Sequence, residues 1–179
     1  MRKVVLAVGI SVDGYIARPD GDVDFLSMAG DYSMAGFFAT VDTAIMGRKT
    51  FEVGLKLSKG KFETYGLKTY VCSRTLPAGE RDGLIYTAEP PEELIAKLRA
   101  KKGKNIWLMG GGELARDYLK ADLVDEIHLG IVPALLGEGI PMFPAGFPQR
   151  DFKLIENETF PQGLIVVKYA RVRPKAKKE

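Results

Sequence analysis

Two apolar, strand-length runs in this chain break into glycine and then into helix-forming sequence, and no other pattern restricts its fold as much. Ile45-Met46 leads into Gly47-Arg48-Lys49-Thr50, and Ile106-Trp107-Leu108-Met109 leads into Gly110-Gly111-Gly112-Glu113-Leu114. Each reads as a strand ending at a helix N-terminus, where unpaired backbone N–H groups and the helix dipole attract anions. Glycine removes the Cβ that would keep a phosphate away from the backbone. The two corners lie roughly sixty residues apart, and a ligand that bridges them has the form of a dinucleotide.

The rest of the sequence supplies the sheet that these corners require. Val4 to Ile10 is nearly all apolar, as for a strand buried on both faces. Ser11 to Asp22 holds Asp-Gly at Asp13-Gly14 and reads as a loop. Met34, Phe37, Phe38 and Val41 recur at helical spacing, which predicts a helix over Tyr32 to Val41. Strands follow at Thr43 to Met46 and Thr69 to Cys72, the latter ending at Ser73-Arg74-Thr75, and a short one at Leu84 to Tyr86. Pro90-Pro91-Glu92-Glu93 opens a helix that runs through Leu98. A strand over Asn105 to Met109, a helix over Glu113 to Leu119 and a strand over Val124 to Val132 come next. After a loop at Pro133 to Pro141, Phe152 to Thr159 and Leu164 to Ala170 form a closing hairpin. Strands alternating with helices imply an α/β protein with three layers: a mainly parallel central sheet, helices on both faces and an antiparallel C-terminal hairpin. Gly47, Ser73-Arg74 and Gly110 to Gly112 then share the carboxyl ends of the strands, where such sheets bind ligands.

Charge and composition narrow the function. The chain has 179 residues, with 26 Lys and Arg against 23 Asp and Glu. Five of those cations and one anion lie in Arg171 to Glu179, which leaves 21 against 22 elsewhere. The basicity belongs to the tail, so nucleic acid is not an expected partner. One domain is expected over residues 1–171, with a basic, disordered tail over 172–179. The start, Met1-Arg2-Lys3 before a short apolar run, is read as a strand and not as a signal peptide, and no run is long enough to span a membrane. A single cysteine, Cys72, suits the cytoplasm. It is expected to be packed, and His128, mid-strand, to be structural; no metal site is expected.

The order of Asp13-Gly14-Tyr15-Ile16-Ala17, Met46-Gly47-Arg48-Lys49-Thr50, Cys72-Ser73-Arg74 and Gly110-Gly111-Gly112 resembles the dihydrofolate reductase-like superfamily. Ala121-Asp122-Leu123-Val124-Asp125-Glu126-Ile127, with Pro133 to Gly139, is similar to the branch holding the pyrimidine reductase domain of riboflavin biosynthesis. The resemblance covers Val4 to about Ala170 and implies NADPH as hydride donor. By it, Gly47, Arg48, Lys49 and Thr50 hold cofactor phosphates, and Ser73 and Arg74 face the adenosine 2′-phosphate. Gly110, Gly111, Gly112 and Glu113 border the pyrophosphate and nicotinamide, and Gly9, Ile16 and Ala17 the carboxamide. Val12 to Asp24 corresponds to a mobile lid. A homodimer is implied, with apolar elements around Ile131 to Leu136 at its interface.

The sequence also departs from the folate enzymes. Their Pro-Trp pair is missing, Ala35 replaces an aromatic residue, Leu67 stands where an arginine grips folate, and Glu113 replaces an arginine. Asp31 aligns with the acidic position and Asp24 competes with it; either is a candidate proton donor, and either is also explained as a helix cap or surface acid. The expectation is an NADPH-dependent reductase of a small heterocyclic or imine/carbonyl substrate. Two other readings are a pyrimidine reductase of riboflavin biosynthesis and a non-catalytic NADP-binding protein of the same fold.

Overall fold

A computed structural model describes residues 1–30 and 32–173. Strands are β1 (Val4–Ile10), β2 (Tyr15–Ala17), β3 (Val41–Gly47), β4 (Lys68–Cys72), β5 (Gly79–Arg81), β6 (Leu84–Thr87), β7 (Asn105–Gly110), β8 (Glu126–Ile131), β9 (Ile140–Pro141), β10 (Phe152–Thr159) and β11 (Ile165–Arg171). Helices are α1 (Ala35–Phe38), α2 (Arg48–Leu57), α3 (Pro91–Arg99) and α4 (Gly112–Lys120), with a 3-10 turn at Asp24–Ala29. Nine strands form one sheet in the order β10-β11-β8-β1-β7-β3-β4-β6-β5, and β2 pairs with β9 in a separate ribbon. The pairs from β8 through β6 are parallel, and β11 with β10 adds the antiparallel hairpin.

Strand alternation explains the layers. Val4 and Leu6 point to one face with Ile106 and Leu108, where Leu94, Ile95 and Leu98 of α3 and Ala115, Tyr118 and Leu119 of α4 cover them. Val5, Ala7 and Trp107 point to the other face, under Phe37 and Phe38 of α1. Phe51 of α2 packs beside them on Met46, Val71 and Tyr86. No helix in the described residues is long and apolar enough to cross a membrane.

The helix expected over Tyr32 to Val41 is only the single turn Ala35–Phe38. Val41, the last residue of that apolar period, instead starts β3 and pairs with Asn105. Gly36 weakens the helix, and the β-branched Val41 gains a ladder position and burial. Of the expected tail, Val172 donates its N–H to the Asp151 carbonyl, 2.8 Å, and Arg173 pairs with Asp125, 2.9 Å. Residues 174–179 lie outside the described residues.

At the amino end of the parallel strands, arginines and aspartates form a polar clasp. Buried Asp125 accepts the Val4 N–H at 2.8 Å and pairs with Arg99 at 2.6 Å. Arg171 pairs with Asp122 at 2.8 Å, and Arg2, itself buried, pairs with Asp42. Each guanidinium there meets carboxylates or backbone carbonyls, which is what makes a buried cation tolerable.

Candidate functional site

At the opposite end of the sheet the two central strands part. Pairing of β1 with β7 ends at Leu6 opposite Leu108. Yet β1 continues beside β8 to Ile10 opposite Ile131, and β7 continues beside β3 to Gly110. A register shift around Met109 bends β7 away, since Ile45 faces Leu108 but Met46 faces Gly110. Lys3 offers its carbonyl to β7 and Val4 offers its carbonyl to the β8 side. By alternation, Ala7 and Gly9 face β7, into the gap. The indole Nε1–H of Trp107 takes the Ala7 carbonyl at 2.9 Å, and so closes the floor of the crevice. Gly9 lies one step further out. A Cβ there would stand 2.8 Å from Leu26 of the 3-10 turn, so the turn is seated directly on the glycine.

Both glycine corners lie on the β7 side of this crevice, one at the end of β7 and the other at the end of the next strand, β3. Gly47 is the N-cap of α2 and Gly111 that of α4, and neither helix has a side-chain cap. Their first-turn amides are therefore left to solvent, neighbouring groups or a ligand. Gly110 has φ +102°, a conformation that only glycine adopts at little cost. Gly112 is glycine for a different reason: a Cβ would overlap the Pro141 carbonyl oxygen and stand 3.0 Å from Pro144 Cδ. Thr50 ties the corners together, because its Oγ1 accepts the Gly111 N–H at 3.0 Å. Lys49 also crosses between them, 3.8 Å from Glu113, with both side chains mostly in solvent. Arg48 pairs along α2 with Glu52 at 2.5 Å. Cations at a helix N-terminus oppose its dipole, so Arg48 and Lys49 are placed against local preference.

The third expected element lies alongside, since Gly47 and Cys72 are register partners. Ser73 is buried, and its Oγ accepts the N–H groups of Thr75 and Leu76 at 3.2 and 3.0 Å. The hydroxyl thus builds the turn. Arg74 follows it, exposed, and forms no ion pair among the described residues. Burial pushes the Cys72 thiol up to about 12, helped by the Glu89 charge, so it stays a protonated packing residue. Ile16 and Ala17 lie in β2, with Ala17 buried and Ile16 against the main core. His128 pairs with Glu126 at 3.0 Å and packs edge-on against Phe37.

The two candidate acids differ. Asp24 is exposed and accepts from the Arg18 guanidinium at 2.7 and 3.3 Å. That hydrogen bond holds its carboxyl below the ordinary range, which keeps the proton off at neutral pH and opposes a donor role. Asp31 lies outside the described residues. Sequence reasoning missed Trp107. A lone tryptophan in a buried strand needs a partner for its indole N–H, and that requirement was the available signal.

The model of the RibD C-terminal domain family matches residues 2–166. The chain belongs to that family. It is similar to two uncharacterized proteins of Bacillus subtilis strain 168. YwjB is 37% identical over 145 residues, covering 79% of this chain and 83% of YwjB. YyaP is 31% identical over 178 residues, covering 94% of each. Among solved structures, a putative riboflavin biosynthesis protein from Shewanella sp. PV-4 is 30% identical with TM-score 0.81, covering 97% of this chain and all of that one. The deaminase/5-amino-6-(5-phosphoribosylamino)uracil reductase of Thermotoga maritima is 14% identical with TM-score 0.72, and the chain covers 57% of its length. The fold is thus that of RibD C-terminal domains, which is dihydrofolate reductase-like.

Proposed function

We propose that this chain is an NADPH-dependent reductase acting on a small heterocyclic or imine/carbonyl substrate. The observation that carries the reading is the crevice between β1 and β7, bordered on its β7 side by two adjacent helix N-termini that lack side-chain caps. Arg48, Lys49 and the amides around Gly47 and Gly110 to Gly112 would hold phosphates, and Arg74, without an ion pair among the described residues, has a guanidinium suited to a 2′-phosphate. The donor set fits a dinucleotide, with two adjustments. The Thr50 and Ser73 hydroxyl oxygens already accept N–H groups within the protein, which shapes the corner and the turn and leaves each only its O–H to offer a phosphate. Glu113 is an anion at the phosphate corner and opposes binding unless Lys49 neutralises it. The reduced nicotinamide supplies the hydride when bound. The backbone of Gly9 and the buried Ala17 strand edge would orient the ring, and the loops over β1 and β8 would keep water out. Asp31 is the proposed proton donor, because Asp24 is committed to Arg18.

Calorimetric titration with NADPH and NADH tests this directly. NADPH should bind more tightly, and Arg74→Ala should lose about tenfold or more in NADPH affinity with little change for NADH, as for one charge-assisted contact. Binding of neither dinucleotide refutes the reading. The family match favours a second reading, a pyrimidine reductase of riboflavin biosynthesis; turnover of a phosphorylated ribosylamino-pyrimidine would support it. The engagement of Asp24 with Arg18 favours a third, a non-catalytic NADP-binding protein, for which NADPH binds without turnover across a broad substrate panel. A homodimer belongs to the proposal as well, with the elements around Ile131 to Leu136 at its interface: Leu135 is exposed there, and sedimentation would give the mass of one or two chains.

A further inference from the structure

We infer that Asp13 is a positioning residue: its carboxylate fastens the loop after β1 to the loop after β8, so that both move as one flap at the mouth of the crevice. The expected lid, Val12 to Asp24, is not an independent element. Its first half is instead bound to a second segment more than a hundred positions away. Asp13 accepts the N–H groups of Leu136 at 3.0 Å and Gly137 at 2.8 Å, and the Ser11 hydroxyl at 2.6 Å. These donors hold its carboxyl below the ordinary range, with the Ser11 hydroxyl the largest contributor.

Backbone contacts extend the junction on either side. Val12 donates to Ala134 at 2.8 Å, and Met142 donates to Gly14 at 3.0 Å. Tyr15 and Ala17 pair with Pro141 and Ile140. Gly139 comes so close to the Ala17 carbonyl that a Cβ would overlap it. The far end of the joined unit rests on the glycine corner, where the Pro141 and Met142 carbonyls leave no room for a side chain at Gly112. The segments leave the carboxyl ends of adjacent strands, β1 and β8. One flap thus runs from the Asp13 loop to the α4 corner, and its Asp13 end is fixed by a side chain rather than by a continuous ladder.

Three donors meet on one carboxylate, and two of them, the Leu136 and Gly137 amides, come from the other loop and give the clasp its weight. One backbone bond on each side, Val12 to Ala134 and Met142 to Gly14, joins the loops beside it, and a two-stranded ribbon of two and three residues does not hold itself together in water. Removing the carboxylate leaves the amides of Leu136 and Gly137 to solvent and the joint to the two neighbouring backbone bonds, which loosens the loops from one another. The role in ligand positioning rests on the reductase reading. The clasp itself does not, and its test is built to keep the two apart.

Hydrogen–deuterium exchange of the full chain, without ligand, compares wild type with Asp13→Ala and Asp13→Asn. Asp13→Ala should raise exchange tenfold or more in peptides covering both 12–17 and 136–142, while peptides of β10 and β11 stay unchanged and report that the protein is folded. Asp13→Asn keeps an acceptor oxygen and should give a smaller rise in the same two segments. A change confined to 136–137, or no change in either segment, overturns the proposal whether or not the protein binds a dinucleotide. In a second arm, NADPH and 2′-phospho-ADP are titrated into the same variants. Asp13→Ala should weaken NADPH about tenfold and leave the nicotinamide-free fragment within twofold; equal losses for both overturn the positioning role. Failure of wild type to bind either ligand counts against the reductase reading and leaves the exchange result to decide the clasp.

Discussion

Trp107→Phe isolates what holds the crevice floor together. Trp107 is 7% exposed, and its indole N–H is the group that reaches the Ala7 carbonyl where β7 has turned away. Phenylalanine cannot donate, so the carbonyl is left unpaired in a place that water reaches poorly; that costs about 1–3 kcal/mol. The smaller ring gives up roughly 40 Å² of buried apolar area, or about 1 kcal/mol at 25 cal/mol per Å². A central figure is about 3 kcal/mol, which for a chain of this size lowers the melting temperature by roughly 6–12 °C. Urea unfolding followed by far-UV circular dichroism measures the free energy, and calorimetry measures the melting temperature. The decisive control is benzothienylalanine at position 107, which keeps the bicyclic shape and replaces only the N–H. The reasoning requires that this isostere still lose at least about 1 kcal/mol. Stability within a few tenths of wild type would mean that the Ala7 carbonyl has no need of the indole, and the account of the strand parting would fail.

Three further outcomes follow from the same geometry. Glu113→Gln removes an exposed anion from the phosphate corner and should tighten NADPH two- to fivefold at low salt, an effect that disappears at high ionic strength in calorimetric titrations. Asp31→Asn should cut kcat by about a hundredfold at unchanged dinucleotide affinity, whereas Asp24→Asn, which breaks only the Arg18 pair, should leave kcat within threefold in stopped-flow NADPH oxidation. Burial lowers the His128 pKa, and the Glu126 hydrogen bond only partly offsets it. The unfolded chain therefore takes up this proton more readily, so stability should fall as pH drops from about 6.5, and His128→Gln should flatten that part of the profile in urea titrations.

Most of the architecture was legible because it follows from local pattern. The span of β1 is the apolar run Val4 to Ile10, α3 begins at its proline pair, and the hairpin strands fall within a residue or so of their expected bounds. The errors lie where a distant partner decides. Val41 carries helical spacing but ends in β3, because Asn105 offers it a ladder position. Strands β2, β5 and β9 went unread: each is two or three residues long, too short for any period to show. At the site, glycine marked the corners correctly but did not reveal its several reasons. Gly110 needs its positive φ, Gly112 yields to the Pro141 carbonyl, and Gly9 seats Leu26. The tie between Thr50 and Gly111 and the Asp13 junction depend on side chains that meet only after folding, across 61 and 123 or more positions.

The clasp at the amino end of the strands has a practical consequence for anyone who wishes to attach this protein to something. Arg171 and Arg173, bound to Asp122 and Asp125, hold the last described residues at the end of the sheet opposite the crevice. A tether joined directly after Arg173 therefore pulls on the arginine–aspartate network and not on the loops. On a sensor surface or a fused scaffold the molecule stands with its mouth turned outward, and ligand approaches from the free side.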